Sequence, residues 1–427
     1  MSGVNGEVGE PTGLSRRSFL TGAGGIAAGT VGGLAIGAAG GYGLTRANAA
    51  EQVEAADAFA GSYPFRSEHP AGVLEYNQAQ AIFCAFDVIA TKPDRLISLL
   101  EDWSLAAERM MAGQPVNDYK TFRGVPPADT GEVDDLGPAY LTIAFGFGAS
   151  LFREEFGIAD KLPEELAAGI PPMSAEYLDL DKSNGDIFIQ ICAEDAMVVE
   201  HALRNLTRLA FGKARLRWAE NGFIRAYSSS TNQKTPRNLF GFKDGTSNLT
   251  ADSGEEMLNE HLWIQPGDTV NDWAAGGTYA CFRKMQMMFE VWDEIPLDQQ
   301  EEVFGRDKFE GAPLSGGEEF TDPDFTNPAI PVDSHMAIVH PDNNGGRHMR
   351  RRAYSYTEGL GELGRISGGL QFIAFVRNPQ TNFVPILARM SGDQLTEYVK
   401  HLGTGLFILP PPPSAGETYI GQRLFEA

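Results

Sequence analysis

Residues 333–356, DSHMAIVHPDNNGGRHMRRRAYSY, gather three of the chain's seven histidines (His335, His340, His348) and four arginines (Arg347, Arg350, Arg351, Arg352). Imidazoles ligate metals and move protons near neutral pH, and guanidiniums hold anions at any physiological pH. Such a stretch suits an anion or a metal ion, in a chain whose formal net charge is −23. Upstream, GFKDGTSN (241–248) sets Asp244 between Gly241 and Gly245, a tight turn that exposes backbone and holds one carboxylate at its apex. Taken singly, these are an ordinary Asp-Gly turn, loop histidines and a solvated basic strand. The signal is their combination.

Other chemistries leave no comparable trace. GFGAS (146–150) lacks the lysine of a phosphate-binding loop, no HExxH occurs, and no pair of acids can be placed as a glycosidase couple from sequence. The acidic balance argues against general nucleic-acid binding, which needs clustered Lys and Arg. Cys84, Cys192 and Cys281 lie far apart, odd in number and without CxxC, each inside an apolar run (AIFCAF, FIQICAE, TYACFRK). They read as buried thiols rather than as a disulfide or zinc framework.

The elements that must position these groups follow from periodicity. The composition, 42% hydrophobic and 21% charged over 427 residues, is that of a globular chain with one large core or two. AQAIFCAFDVIA (79–90), AYLTIAFGFG (139–148), GDIFIQICAED (185–195) and ARLRWAENGFIR (214–225) read as strands. Helices are expected over 92–111 and 196–213, with a short one in 51–75. The second half echoes this order: a strand over 277–293, a helix over Leu297–Phe304, a strand over 368–378, a helix over 392–402, and a strand ended by the prolines at 410–413. Two such units imply an α+β chain of two ferredoxin-like domains with antiparallel sheets. The boundaries expected are 50–235 and 236–427. Between Phe304 and Met336 lies a Gly/Pro/Asp-rich stretch too long for a simple connection.

At the N-terminus, Arg16-Arg17 precede an uncharged, glycine-rich stretch from Phe19 to Thr45, and Ala47-Asn48-Ala49 offers a small-residue cleavage site. Residues 1–49 therefore read as a twin-arginine signal peptide rather than a membrane anchor. The expectation is export by the Tat translocase, which carries folded proteins, to the periplasm, cell envelope or medium.

GFKDGTSN, PVDSHMAIVHP and RRRAYSYTEG, with GLQFIAFVRNP, SGDQLTEYVKHLGTGLFILPPPP and YIGQRLF, together resemble the dye-decolourising peroxidase family of haem enzymes. The resemblance spans roughly 75–425, and its exported members include a branch linked to iron uptake, the deferrochelatase/peroxidases. It implies two ferredoxin-like modules with haem b (protoporphyrin IX iron) in the C-terminal one. It also implies hydrogen peroxide as oxidant, a ferryl intermediate, and dyes or phenolics as one-electron donors. The alternative role is iron acquisition from haem. An oligomer is compatible with either.

Carried over residue by residue, His335 matches the proximal iron ligand, with His340 and His348 as rivals set on the surface. Asp244 matches the distal acid. Arg351 matches the distal arginine, with Arg352 its alternate, because Ala353 stands where the family has glycine and three arginines blur the register. Asp393 matches the acid that holds the proximal imidazole, with Glu397 its rival. Leu370, Phe372 and Phe375 match the pocket wall, with Leu406 and Phe407 as further candidates. Trp263, Trp273, Trp292, Tyr354 and Tyr356 are candidates for surface electron relay.

Overall fold

The computed structural model describes residues 61–426, except 118–122, 174–175, 227–232 and 362–363; the signal-peptide expectation lies outside this range. The first half runs β1 (Gln80–Val88), α1 (Pro93–Met111), β2 (Thr142–Gly148), β3 (Ile187–Ala193), α2 (Ala196–Leu209) and β4 (Ala214–Phe223). α1 opens on Pro93, whose missing N–H costs nothing in the first turn. Its buried face carries Leu96, Leu99, Leu100, Trp103, Ala107 and Met110, the spacing of an amphipathic helix laid on a sheet. α2 is capped by Asp195, whose carboxylate accepts from the Met197 N–H at 2.7 Å.

The second half holds β5 (Thr278–Met287), α3 (Leu297–Phe304), α4 (His335–Val339), β6 (Arg350–Arg351), β7 (Tyr354–Leu360), β8 (Ile366–Val376) and β9 (Val399–Leu409). The antiparallel order β4-β1-β3-β2 in the first set is repeated as β9-β5-β8-β7 in the second. The sets meet at Phe147↔Ile408 and at Phe223↔Ser355, so the strands form a closed ring and the two sets leave no free outer edge between them. Side-chain alternation along each strand then sorts residues into two places. Phe83, Phe188, Trp218, Phe282, Ile373, Phe375 and Phe407 fill the inside of the ring. The outer face of the second set, with Met287, Leu370 and Val399, packs against Phe240, Phe242, Trp292 and Phe304.

Several expectations need correction. Residues 392–402 are not a helix: a 3-10 turn over Gln394–Tyr398 leads directly into β9, where pairing with β5 outweighs the helical spacing. The strand expected over 277–293 ends at Met287 and yields to a helical turn at Phe289–Trp292. Of the segment 51–75, where a short helix is expected, 61–75 hold none and 51–60 lie outside the described residues. All three cysteines are buried and free, as their apolar runs imply. Among the described residues no helix is long and apolar enough to cross a membrane.

Candidate active site

His335 is the first residue of α4, whose N-terminus is capped by buried Ser334 accepting from the Ala337 N–H. Its Nδ1 lies 2.6 Å from Oδ2 of Asp393. A carboxylate only accepts, so Nδ1 carries the proton and Nε2 is left with its lone pair. The side chain of Asp393 is fully buried, and its other oxygen accepts from the Leu395 N–H at 2.8 Å. Gln394 bonds Asp333 through both its backbone and its side chain, tying the two segments together. Glu397, the rival to Asp393, is exposed.

Asp244 sits on a loop folded back on itself. Asn238 accepts through its side chain from the N–H groups of Phe240 and Phe242, and the Asp244 N–H donates to Pro236. Gly241 and Gly245 have φ of +86° and +121°, which a side chain at either position would strain. The long 305–334 segment braces this loop. Glu319 accepts from Lys243 Nζ at 2.6 Å, Thr235 Oγ1 at 2.5 Å and Thr246 Oγ1 at 3.2 Å. Burial acts to raise the Glu319 pKa, but these donors outweigh it and hold the carboxyl below the usual glutamate range. Arg237 also donates to the carbonyls of Lys308 and Phe309.

The three consecutive arginines are sorted by strand alternation. Arg350 and Arg352 turn inward and are buried, donating to carbonyls and side chains of the Val73–Gln78 segment. Arg351, between them, turns the other way. Its backbone is clasped by Asn248, its Nη2 donates to the Ser247 carbonyl at 2.9 Å, and its Nη1 lies 4.0 Å from Asp244 Oδ1. Arg352 is therefore excluded as the cavity arginine: no part of it is solvent-accessible, and both its Nη groups donate to the Glu75 and Tyr76 carbonyls and the Asn77 and Gln78 side chains.

His335, Asp244 and Arg351 open onto one cavity, whose empty space is about 1560 Å³ with its mouth included. Its walls are apolar, with Leu370, Phe372, Phe383, Leu387, Leu395 and Val399 among them. Phe375, expected on this wall, faces the other way: Leu370 and Phe372 share a parity along β8 that Phe375 does not, and it lies inside the ring. Leu406 and Phe407 are likewise in the core and off the cavity. His340 and His348, expected on the surface, line the cavity instead, and burial lowers the pKa of both. The five aromatics considered for surface relay are all buried, so none presents a ring to solvent. Sequence reasoning missed Asn248, although it lies inside the GFKDGTSN motif. It also missed Arg306, Arg283 and His401, which line the same cavity; the charged pair Arg283-Lys284 in an otherwise apolar strand was the available signal.

The residues present fit a haem. Nε2 of His335 is unspent on a cavity of suitable chemistry, the walls are apolar, and two buried side chains on the wall, Arg283 and His401, keep polar atoms that nothing in the protein satisfies. No group of three or more His, Cys, Asp or Glu able to hold a metal ion by itself occurs among the described residues.

Comparison with known proteins finds relatives over most of the chain. Two family models match, Dyp-type peroxidase, N-terminal over residues 70–224 and Dyp-type peroxidase, C-terminal over 235–414. A protein of Shigella flexneri named deferrochelatase is 32% identical over 424 residues, covering 96% of this chain and 97% of that protein. Ferric DtpA from Streptomyces lividans superposes with a TM-score of 0.80 at 36% identity, covering 86% of this chain and 98% of DtpA. A DyP-type peroxidase from Cellulomonas bogoriensis gives 0.77 at 31% identity, covering 86% and 99%.

Proposed function

The chain belongs to the Dyp-type peroxidase family of haem enzymes, which oxidise electron donors with hydrogen peroxide, and on that premise we propose that His335, Asp393, Asp244 and Arg351 are the residues that carry the reaction here. When bound, the haem supplies an iron that accepts peroxide and stores its oxidising equivalents. His335 Nε2 would hold the iron. Asp393, accepting from Nδ1–H, fixes the ring and strengthens the donor. Asp244 takes the proton from one peroxide oxygen and delivers it to the departing one, the task of a positioned carboxylate. Arg351, a permanent cation beside it, stabilises the negative charge that grows as the O–O bond lengthens.

The observation that carries this reading is the 2.6 Å His335–Asp393 contact on the wall of a cavity that also holds Asp244 and Arg351. The donors are dyes, phenolics or comparable one-electron reductants. Residues 1–49 act as a twin-arginine signal, so the protein is exported folded through the Tat translocase and works outside the cytoplasm; the Arg16-Arg17 pair and the Ala47-Asn48-Ala49 site support this. The division at 235/236 separates a scaffold domain from the haem domain. A second reading, recovery of iron from haem at the cell envelope, is favoured by the name of the Shigella relative. Incubation of the purified protein with haem, peroxide and guaiacol separates the two. Rapid guaiacol oxidation with the haem intact supports the peroxidase, and release of iron from intact protoporphyrin supports the other role.

A further inference from the structure

Arg283 and His401 lie on paired strands and line the same cavity, the Arg283 charge is felt at the His401 ring, and neither has a part in the machinery above. Arg283, on β5, is 1% exposed; its Nη1 donates to Glu176 Oε1 at 2.5 Å, and its Nε and Nη2 meet no partner. His401, on β9, is 1% exposed and neither ring nitrogen has a partner. Buried donors of this kind are rare in folded proteins, because each forfeits its hydration without compensation. Both side chains line the same cavity as His335.

The local backbone is arranged to put His401 there. The pairing of β9 with β5 slips between Lys284↔Gly403 and Met285↔His401, leaving Leu402 as an extra residue on β9. The bulge reverses the alternation: Phe407 and Leu409 point into the ring, whereas His401 and Val399, of the same parity, face the cavity. A bulge that re-aims one side chain beside a site is a recurrent device. The unpartnered Nε and Nη2 of Arg283 form the side-on edge of the guanidinium, the edge that a carboxylate takes with two parallel bonds. Burial, and then the nearby Arg283 charge, push the His401 pKa down to about 4. Near neutral pH the ring is thus uncharged and offers one N–H.

We propose that Arg283 and His401 form a carboxylate-anchoring site within the cavity, which binds a carboxylate side chain of the porphyrin and so fixes its rotation above His335. The proposal rests on the haem reading and deepens it, with both residues positioning the cofactor rather than touching peroxide. Glu176 holds the far nitrogen of Arg283 and keeps its side-on edge turned to the cavity.

The test titrates the full chain, produced without porphyrin, with haemin and with haemin dimethyl ester, in which both carboxylates are blocked. The wild type binds haemin roughly ten- to a hundredfold more tightly than the ester, the range for charge-assisted hydrogen bonds. The Arg283→Leu/Glu176→Gln double variant, which leaves no orphaned carboxylate, and the His401→Phe variant each bring the two affinities to within about threefold. The Soret position of the histidine-ligated species stays where it is in the wild type. Variants that keep the full preference, or a wild type with none, overturn the anchor while leaving the haem reading intact. A wild type that gives a histidine-ligated spectrum with neither compound overturns the haem reading, and the anchor with it.

Discussion

The side-chain amide of Asn248 clasps the backbone of Arg351 on both sides, accepting from its N–H at 2.7 Å and donating to its C=O at 2.8 Å. The loop that carries Asp244 and the strand that carries Arg351 are thereby one unit, and the Ser247 carbonyl adds a contact to the guanidinium itself. Replacing Asn248 with Ala leaves two backbone groups unpaired and unties the Asp244 loop from Arg351, whose register β8 still holds. We expect the peroxide-consuming step, followed at the Soret band by stopped flow, to slow by about five- to a hundredfold, since a pair of such bonds is worth roughly 1–3 kcal/mol. Haem content is expected to stay near wild type. An unchanged rate would deny Asn248 any part in positioning Arg351.

Arg351 and Asp244 contribute differently to that step. Loss of the cation removes charge stabilisation of about 3–4 kcal/mol. Loss of the carboxylate removes a proton relay worth about a hundred- to ten-thousandfold, which water partly replaces. The two ranges overlap, about two-hundred- to a thousandfold for the cation against the range just given for the carboxylate; because water stands in for a proton relay but not for a fixed cation, Arg351→Ala is expected to slow peroxide consumption by a larger factor than Asp244→Ala. The same stopped-flow measurement ranks them, and the reverse order would count against the roles assigned.

Asp393 acts through His335. Asp393→Asn keeps the shape but replaces a charged acceptor with a neutral one, weakening the imidazole as a donor. A change of about ten- to a hundredfold in haem affinity or activity is expected for a partner of this kind. The ferric/ferrous potential should rise as the imidazole becomes the poorer donor, and spectroelectrochemistry reads it directly. A potential identical to wild type would mean that the 2.6 Å contact has no electronic consequence.

Glu319 gives the loop its acid sensitivity. Its folded-state pKa is depressed, so its contribution is fully present above the ordinary glutamate range and is lost as pH falls through and below that range. Glu319→Gln should lower the melting temperature at neutral pH, and the difference from wild type should shrink as the solution is acidified toward pH values where wild-type Glu319 is itself protonated. A difference independent of pH would show that Lys243, Thr235 and Thr246 do not act through the charge.

His401 shows the same sign of dependence at higher pH. Its folded pKa of about 4 lies below the ordinary value of 6.5, so the unfolded chain takes up a proton over that interval and the folded one does not. Stability of the porphyrin-free protein therefore falls as pH drops from 6.5 toward 4, with His401 contributing about 3 kcal/mol to the loss. Urea unfolding at stepped pH, compared with His401→Phe, isolates the term. Parallel curves for the two proteins would contradict it.

Much of the fold was legible because strands announce themselves by apolar runs and alternation. β1, β2, β3, β4 and β8 lie where those patterns put them. The helix expected over 392–402 failed because Val399 begins a strand that completes the second set, a demand no local pattern carries. The site was legible in its motifs and illegible in its parities. Three adjacent arginines look alike in sequence, and only the pairing of β6 with β8 decides that Arg351 faces the cavity while its neighbours are buried. Phe375 was misplaced for the same reason, by the direction of one strand face. His401 was hidden by a bulge that inverts the alternation, and His340 and His348 by the habit of assigning polar loops to the surface.

The central claim is that the imidazole at position 335 holds the haem iron. Absorption spectra of wild type and His335→Ala, both matured with ample haem, test it most directly. The account predicts a Soret band typical of imidazole-ligated ferric haem in the wild type and its loss or displacement in the variant, with far-ultraviolet circular dichroism unchanged. A variant whose Soret band matches the wild type would put the iron on another residue and contradict the account.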